Sequence, residues 1–132
     1  MIATLIQDAT VRSATFRHIA DAVAATDGVV YVEEGRCGHG VRACLVLGVA
    51  ISGPNRLLRV LVNTHKADWD LQGSIGHELR HAIEVLSDPA VTSYEAMFGF
   101  YTREGLHRVD GFETEAAVEA GDAVRTELRA RR

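Results

Sequence analysis

The hydrophobic period changes twice along this chain, and that change limits the folds open to it. Over residues 4–25, Leu5, Ala9, Phe16, Ile19, Ala20 and Val23 recur near helical spacing until Asp27-Gly28 stops the run. Three short β-branched or apolar runs follow, over residues 29–32, 43–51 and 57–63. Ser52-Gly53-Pro54-Asn55 reads as a hairpin connection, and the glycine-rich residues 33–40 read as a loop. Helical spacing then returns at Trp69. Ile75, Leu79, Ala82, Ile83 and Leu86 form one apolar stripe that ends before Pro89. Asp88-Pro89 reads as the N-cap and first position of a second helix, which carries Val91, Tyr94, Phe98 and Tyr101 to Gly105. A third helix is expected from about Phe112 to Arg131. This order predicts a segregated α+β domain: an N-terminal helix, a small, mainly antiparallel three-stranded sheet, and three helices after it.

A chain of 132 residues has the size of one domain, taken here as 1–132. It buries roughly two thirds of its unfolded surface and needs no metal merely to fold. Any metal it holds is therefore expected to do chemistry. Fourteen Lys plus Arg against 18 Asp plus Glu, net −4, argue against a nucleic-acid binder. Arg125, Arg129, Arg131 and Arg132 read as cations at the negative end of the last helix. No apolar run approaches the ~20 residues of a membrane span. The short, uncharged N-terminus does not read as a signal peptide, so a cytoplasmic location is expected, or a periplasmic or secreted one if the natural precursor is longer. Cys37 and Cys44 either close a small disulfide loop or stand as two thiols, and the lack of an export signal favours thiols.

His77-Glu78-Leu79-Arg80-His81 spells an H-E-x-x-H pentad inside the first of the late helices. Residues i and i+4 share a helix face, so both imidazoles can meet one Zn2+. Glu78 is rotated by about 100° from His77, where it can reach a water in the ion's open position. With 6 His and 10 Glu in the chain, chance alone yields about 0.02 such pentads, so context must decide. A catalytic zinc needs a third protein ligand. The metzincin continuation fails, since Glu84 and Ser87 stand where Gly and His are required. A later carboxylate remains, either Glu113 or Glu115. On a helical wheel Glu113 falls with Ala117, Ala120, Val124 and Leu128, the apolar face, whereas Glu115 falls with Glu119, Asp122, Thr126 and Arg129. A carboxylate on a buried face is costly unless something such as a metal compensates it; as an alternative, Glu113 caps the helix's first turn.

The segment Gly76-His77-Glu78-Leu79-Arg80-His81-Ala82, with Phe112-Glu113-Thr114-Glu115-Ala116-Ala117 after it, resembles the gluzincin zinc metallopeptidases, in particular minimal single-domain bacterial forms. The resemblance implies a zincin-like fold, Zn2+ bound by His77, His81 and Glu113, Glu78 as general base, and a peptide or protein substrate. It departs at Ala117, where such proteins carry an Asp that holds a ligand histidine by its other ring nitrogen. Asp88, Asp122 and Glu84 are the available substitutes, Glu84 lying one turn beyond His81 on the same stripe. Gly73 and Gly76 suggest close approach of a backbone or of substrate. The strand ending at Leu61-Val62-Asn63-Thr64 is a candidate sheet edge for an extended peptide.

The expected reaction is attack of metal-activated water on a peptide carbonyl, Glu78 carrying the proton. His107, Tyr94, Tyr101 and Arg103 are candidates to stabilise the oxyanion, with His107 preferred and Tyr101 read as core. His18, His39 and His65 read as surface histidines. An open groove suggests short or unfolded peptides as substrates. Two rival readings remain. A di-iron site would use Glu78-Leu79-Arg80-His81 and Glu104-Gly105-Leu106-His107, but it needs a four-helix bundle. A catalytically inactive zincin-like binding module is favoured by Ala117 and opposed by the intact Glu78.

Overall fold

A computed structural model describes residues 1–104, 106–108 and 111–130, with the backbone alone at 106–108 and 111–112. The elements in order are α1 (Ile2–Arg12), α2 (Ala14–Ala24), β1 (Gly28–Glu34), β2 (Ala43–Leu45), β3 (Ala50–Ser52), β4 (Asn55–Val62), α3 (Trp69–Leu86), α4 (Tyr94–Glu104), β5 (Leu106–Arg108), β6 (Gly111–Glu113) and α5 (Glu115–Ala130). The fold is α+β, with helices packed on one face of a small sheet.

Strand β4 is the centre of that sheet. It alternates buried Arg56, Leu58, Val60 and Val62 with more exposed Leu57, Arg59 and Leu61, the period of a strand covered on one side. On one flank it pairs in parallel with β1, Val29 opposite Leu57. On the other it pairs antiparallel with β2, Cys44 opposite Leu61, and with β3, Ile51 opposite Arg56. The sheet is thus four-stranded and mixed rather than three-stranded and mainly antiparallel. The expected strand over 43–51 is broken between Leu45 and Ala50, where Gly48 takes φ 154°. The segment ending at Leu61-Val62 is central and cannot be an edge; the edge strands are β1 on one flank and β2 and β3 on the other.

The expected N-terminal helix is two helices. Ser13 leaves helical geometry at φ −120°, and its hydroxyl accepts from the Phe16 N–H at 3.0 Å, capping α2. Phe16 and Ile19 of α2, Ala9 of α1, Leu71, Ile75 and Leu79 of α3, and Val124 and Leu128 of α5 form the main core with β4. Each of these side chains larger than that of Ala9 contributes about 1.5–3 kcal/mol by leaving water. Met97 and Tyr101 of α4 close a second core against Leu58, Val85 and Leu86. Helix α4 begins at Tyr94, later than expected. Asp88-Pro89 instead forms a turn, with the Asp88 carboxylate accepting from Ala90 N–H at 3.0 Å, and Ser93 accepts from Ala96 N–H at 3.1 Å to start the helix. The short hairpin β5–β6 before α5 was not expected at all.

Cys37 and Cys44 are joined in a disulfide, contrary to the reading as thiols, and it ties the glycine-rich loop to β2. Arg129 lies over the Trp69 ring at 4.9 Å, so it is more than a dipole cation. At the far end of α5, Glu127 accepts from Ser13 Oγ at 2.8 Å and from Thr15 N–H at 2.9 Å, tying α5 to the cap of α2. Burial opposes ionisation of Glu127, but these donors outweigh it and hold the carboxyl below the ordinary range. A carboxyl depressed on folding stabilises the fold above its unfolded pKa, and this contribution is lost as pH falls through the folded value. Thermal melts are therefore expected to show lower stability below about pH 4.5, with Glu127→Gln less stable at neutral pH and flatter over that acid window. Parallel melting curves for the two proteins would contradict this role.

Candidate metal and active site

Helix α3 supplies the floor of the site because its apolar stripe faces the core and leaves the adjacent stripe at the cleft. Ile75, Leu79, Ala82 and Leu86 are buried, while His77 and Glu78 are partly open. His77 and His81 sit one turn apart, with ring centroids 5.0 Å apart. Glu113 completes the set from the end of β6. It lies just before α5, not within it, because Thr114 caps the helix, its hydroxyl accepting from Ala117 N–H at 3.3 Å. The wheel extended the helix one turn too far, but the apolar face it defined, Ala117, Val124 and Leu128, is buried. One Glu113 oxygen lies 2.9 Å from His77 Nε2 and 2.8 Å from His81 Nε2. Glu115 is exposed.

Glu84 is the group that answers for Ala117. It lies one turn after His81, as the i, i+3 spacing requires, and its carboxylate is 2.8 Å from His81 Nδ1. Thr114 Oγ1 donates to its other oxygen, tying α3 to the residue beside Glu113. Burial opposes charge on both partners. The mutual bond outweighs it, holding the Glu84 carboxyl low and the His81 imidazole high. A neutral His81 with Nδ1–H donating to Glu84 turns its Nε2 lone pair toward the Glu113 oxygen, as a metal ligand must, whereas a protonated His81 donates Nε2–H to Glu113 at 2.8 Å. Two imidazoles and a carboxylate are a common donor set of catalytic zinc sites, and the residues present fit such an ion. Asp88 and Asp122 take no part: Asp88 serves its own turn, and Asp122 pairs with Arg125 at 3.2 Å.

Glu78 faces the opposite wall. One of its oxygens accepts from Leu45 N–H on the open edge of β2 at 2.9 Å, and the other lies 3.7 Å from His77 Nε2. His77, Glu78 and His81 present donor atoms within 4.8 Å of one another. Burial pushes the Glu78 carboxyl up to about 7, against the lowering pull of His81 and the Leu45 N–H. Burial likewise lowers the His77 imidazole, only partly offset by Glu113.

A cavity of about 510 Å³ runs along α3 between β2 and α5 and contains these groups. Tyr101 lines it from α4 but is buried, its hydroxyl donating to the His81 carbonyl at 2.9 Å and its ring edge-on to the His81 ring. Tyr94 and Arg103 are exposed on α4, and His18, His39 and His65 are exposed as expected. The backbone of His107 lies in β5 rather than in a loop, and its side chain lies outside the described residues. Glu104 ends α4 while His107 is on a strand, so the second Glu-x-x-His does not share a helix. The four-helix frame of a di-iron site is not present among the described residues.

Gly73 and Gly76 do serve close approach, but of side chains. A Cβ on Gly73 would lie 2.3 Å from Arg125 Cγ, and one on Gly76 would lie 3.1 Å from Val124 Cγ2. Arg125 and the disulfide both line the cleft. The composition hid both, since an arginine near a C-terminus and two cysteines seven apart have ordinary explanations.

No protein-family profile matches the chain, and no curated protein or solved structure was found similar to it. The local geometry therefore carries the functional reading. Glu84→Ala is expected to leave the fold intact and weaken zinc affinity about 10–100-fold in a competitive chelator titration; unchanged affinity would remove Glu84 from the site.

Proposed function

We propose that this chain is a zinc-dependent peptide hydrolase of the gluzincin type. The observation that carries the reading is the meeting of His77 Nε2 and His81 Nε2 at one Glu113 oxygen, with Glu78 beside them against an open strand edge. A divalent ion held by His77, His81 and Glu113 would supply Lewis acidity toward a peptide carbonyl and toward water. Glu78 lies on the substrate side of the two imidazoles, where it takes a proton from water and returns it to the departing amine nitrogen. The Leu45 N–H fixes one Glu78 oxygen and leaves the other for that exchange. Edge strand β2 pairs with β4 on one side only, so its other side offers backbone groups to an extended peptide. Glu84 supports this reading over that of a non-catalytic module, since it makes good the carboxylate missing at position 117.

Fluorogenic peptide libraries, with zinc content measured on the same protein, test the proposal. The zinc-loaded wild type should cleave unstructured peptides and lose activity to a chelator. Glu78→Gln should fall at least about 100-fold in kcat while retaining its zinc. A zinc-loaded wild type that cleaves nothing would overturn the hydrolase and favour the binding module.

A further inference from the structure

The two ends of the cleft differ in chemistry. Toward the C-terminal end of α3 its walls are Leu45, Leu47 and Tyr101. Toward the N-terminal end stand Ser74, Arg42 and Arg125. Arg42 precedes β2 and bonds Asp68 at 2.8 Å and Asp70 at 3.0 Å. Asp70 in turn accepts from Arg125 Nε at 2.8 Å. Arg125 reaches the cleft through space cleared by two glycines. A Cβ on Gly121 would lie 3.2 Å from Arg125 Nη1 and 3.1 Å from His77 Cβ, so the guanidinium and the His77 side chain flank the same glycine.

The inner edge of this guanidinium is taken by Asp70, which fixes its plane. Its outer end is held differently. Nη2 donates to the neutral Ser74 hydroxyl at 3.0 Å, and Nη1 reaches Asp122 at 3.2 Å, whose side chain is 68% exposed. A long bond to an exposed carboxylate is worth little in water. A ligand carboxylate can take its place on the same fork.

We infer that Arg125, steadied by Asp70 and assisted by Arg42, binds the carboxylate at the C-terminus of a peptide substrate. This rests on the hydrolase reading and makes the enzyme a carboxypeptidase-type exopeptidase. The charges also set the direction of the substrate. With its C-terminus at Arg125 and its preceding residues toward Leu47 and Tyr101, the peptide runs antiparallel to β2. Because Arg125 and His77 flank Gly121, the terminus falls within about two residues of the cleaved bond, at 3.3–3.6 Å per extended residue.

The test measures binding of dansylated tetrapeptides to zinc-loaded Glu78→Gln protein, and their cleavage by the zinc-loaded wild type. Three probes are needed: a free acid, its C-terminal amide, and an amide ending in glutamate. The free acid should bind and be cleaved at least about tenfold better than either amide, the worth of one charge-assisted bond. Arg125→Gln should bring the three within about twofold of one another. Asp122→Asn changes an exposed residue and safeguards the test if Arg125→Gln fails to fold; it should tighten the acid and leave the amides unchanged. Equal handling of acid and amide by a cleaving wild type would overturn the carboxylate site while leaving the hydrolase standing. Binding of the glutamate amide equal to that of the free acid would overturn the assignment to the terminus. A preference for the acid in binding without cleavage by the wild type would sustain the Arg125 site and sink the hydrolase.

Discussion

The closeness of α3 to α5 is the constraint on which the rest of the molecule depends. Three glycines permit it: Gly73 and Gly76 on α3 and Gly121 on α5. A Cβ at Gly121 would sit 3.2 Å from the Gly73 carbonyl, a backbone atom that cannot rotate aside. In a helix interior each glycine costs about 1 kcal/mol relative to alanine, and this packing is what offsets the cost. Val124 settles on Gly76, Arg125 passes over Gly73, and the chain entering α5 is held where Glu113 meets both imidazoles. The geometry of the candidate site and the core packing are thus set by the same interface.

The site concentrates three partly buried carboxyls and two histidines, and each has an assigned partner. Glu78 takes an edge-strand N–H, Glu84 takes His81 and Thr114, and Glu113 lies between the His77 and His81 imidazoles. Among the described residues no buried side-chain nitrogen or oxygen is left without a hydrogen-bond partner. The same logic holds at the opposite end of the fold. Buried Arg56 donates to Asp27 and to the Leu86, Asp88 and Val91 carbonyls, so one side chain closes the C-terminus of α3 and the turn after it. Such satisfied networks fix geometry, because removing one member leaves the others desolvated and unpaired.

What could be read from residues alone follows from the range of the interactions involved. The α3 stripe, the adjacency of His77 and His81, and the rotation of Glu78 off their face are consequences of helical period, and all three are seen. The apolar face of α5 was legible for the same reason. Ser13 was not read as a break because alanine-rich periodicity runs through it, although a Ser three residues before a core Phe16 is a capping signal. The division of β2 from β3 and the central place of β4 depend on pairing between distant segments, which periodicity does not encode. Glu84, Asp88 and Asp122 are equally available from the sequence to stand for the Asp missing at position 117. The i, i+3 spacing of Glu84 from His81 allowed the bond to Nδ1 but did not choose Glu84 over Asp88 and Asp122. Arg125 needed knowledge that α5 runs back along α3, a tertiary fact.

Anomalous X-ray scattering at the zinc edge, from crystals grown with Zn2+, bears most directly on whether this is a metal centre. A single peak is expected within about 2.0–2.2 Å of His77 Nε2, His81 Nε2 and a Glu113 oxygen. Crystals without such a peak, or with the ion elsewhere and Glu113 still bonded directly to the two imidazoles, would contradict it.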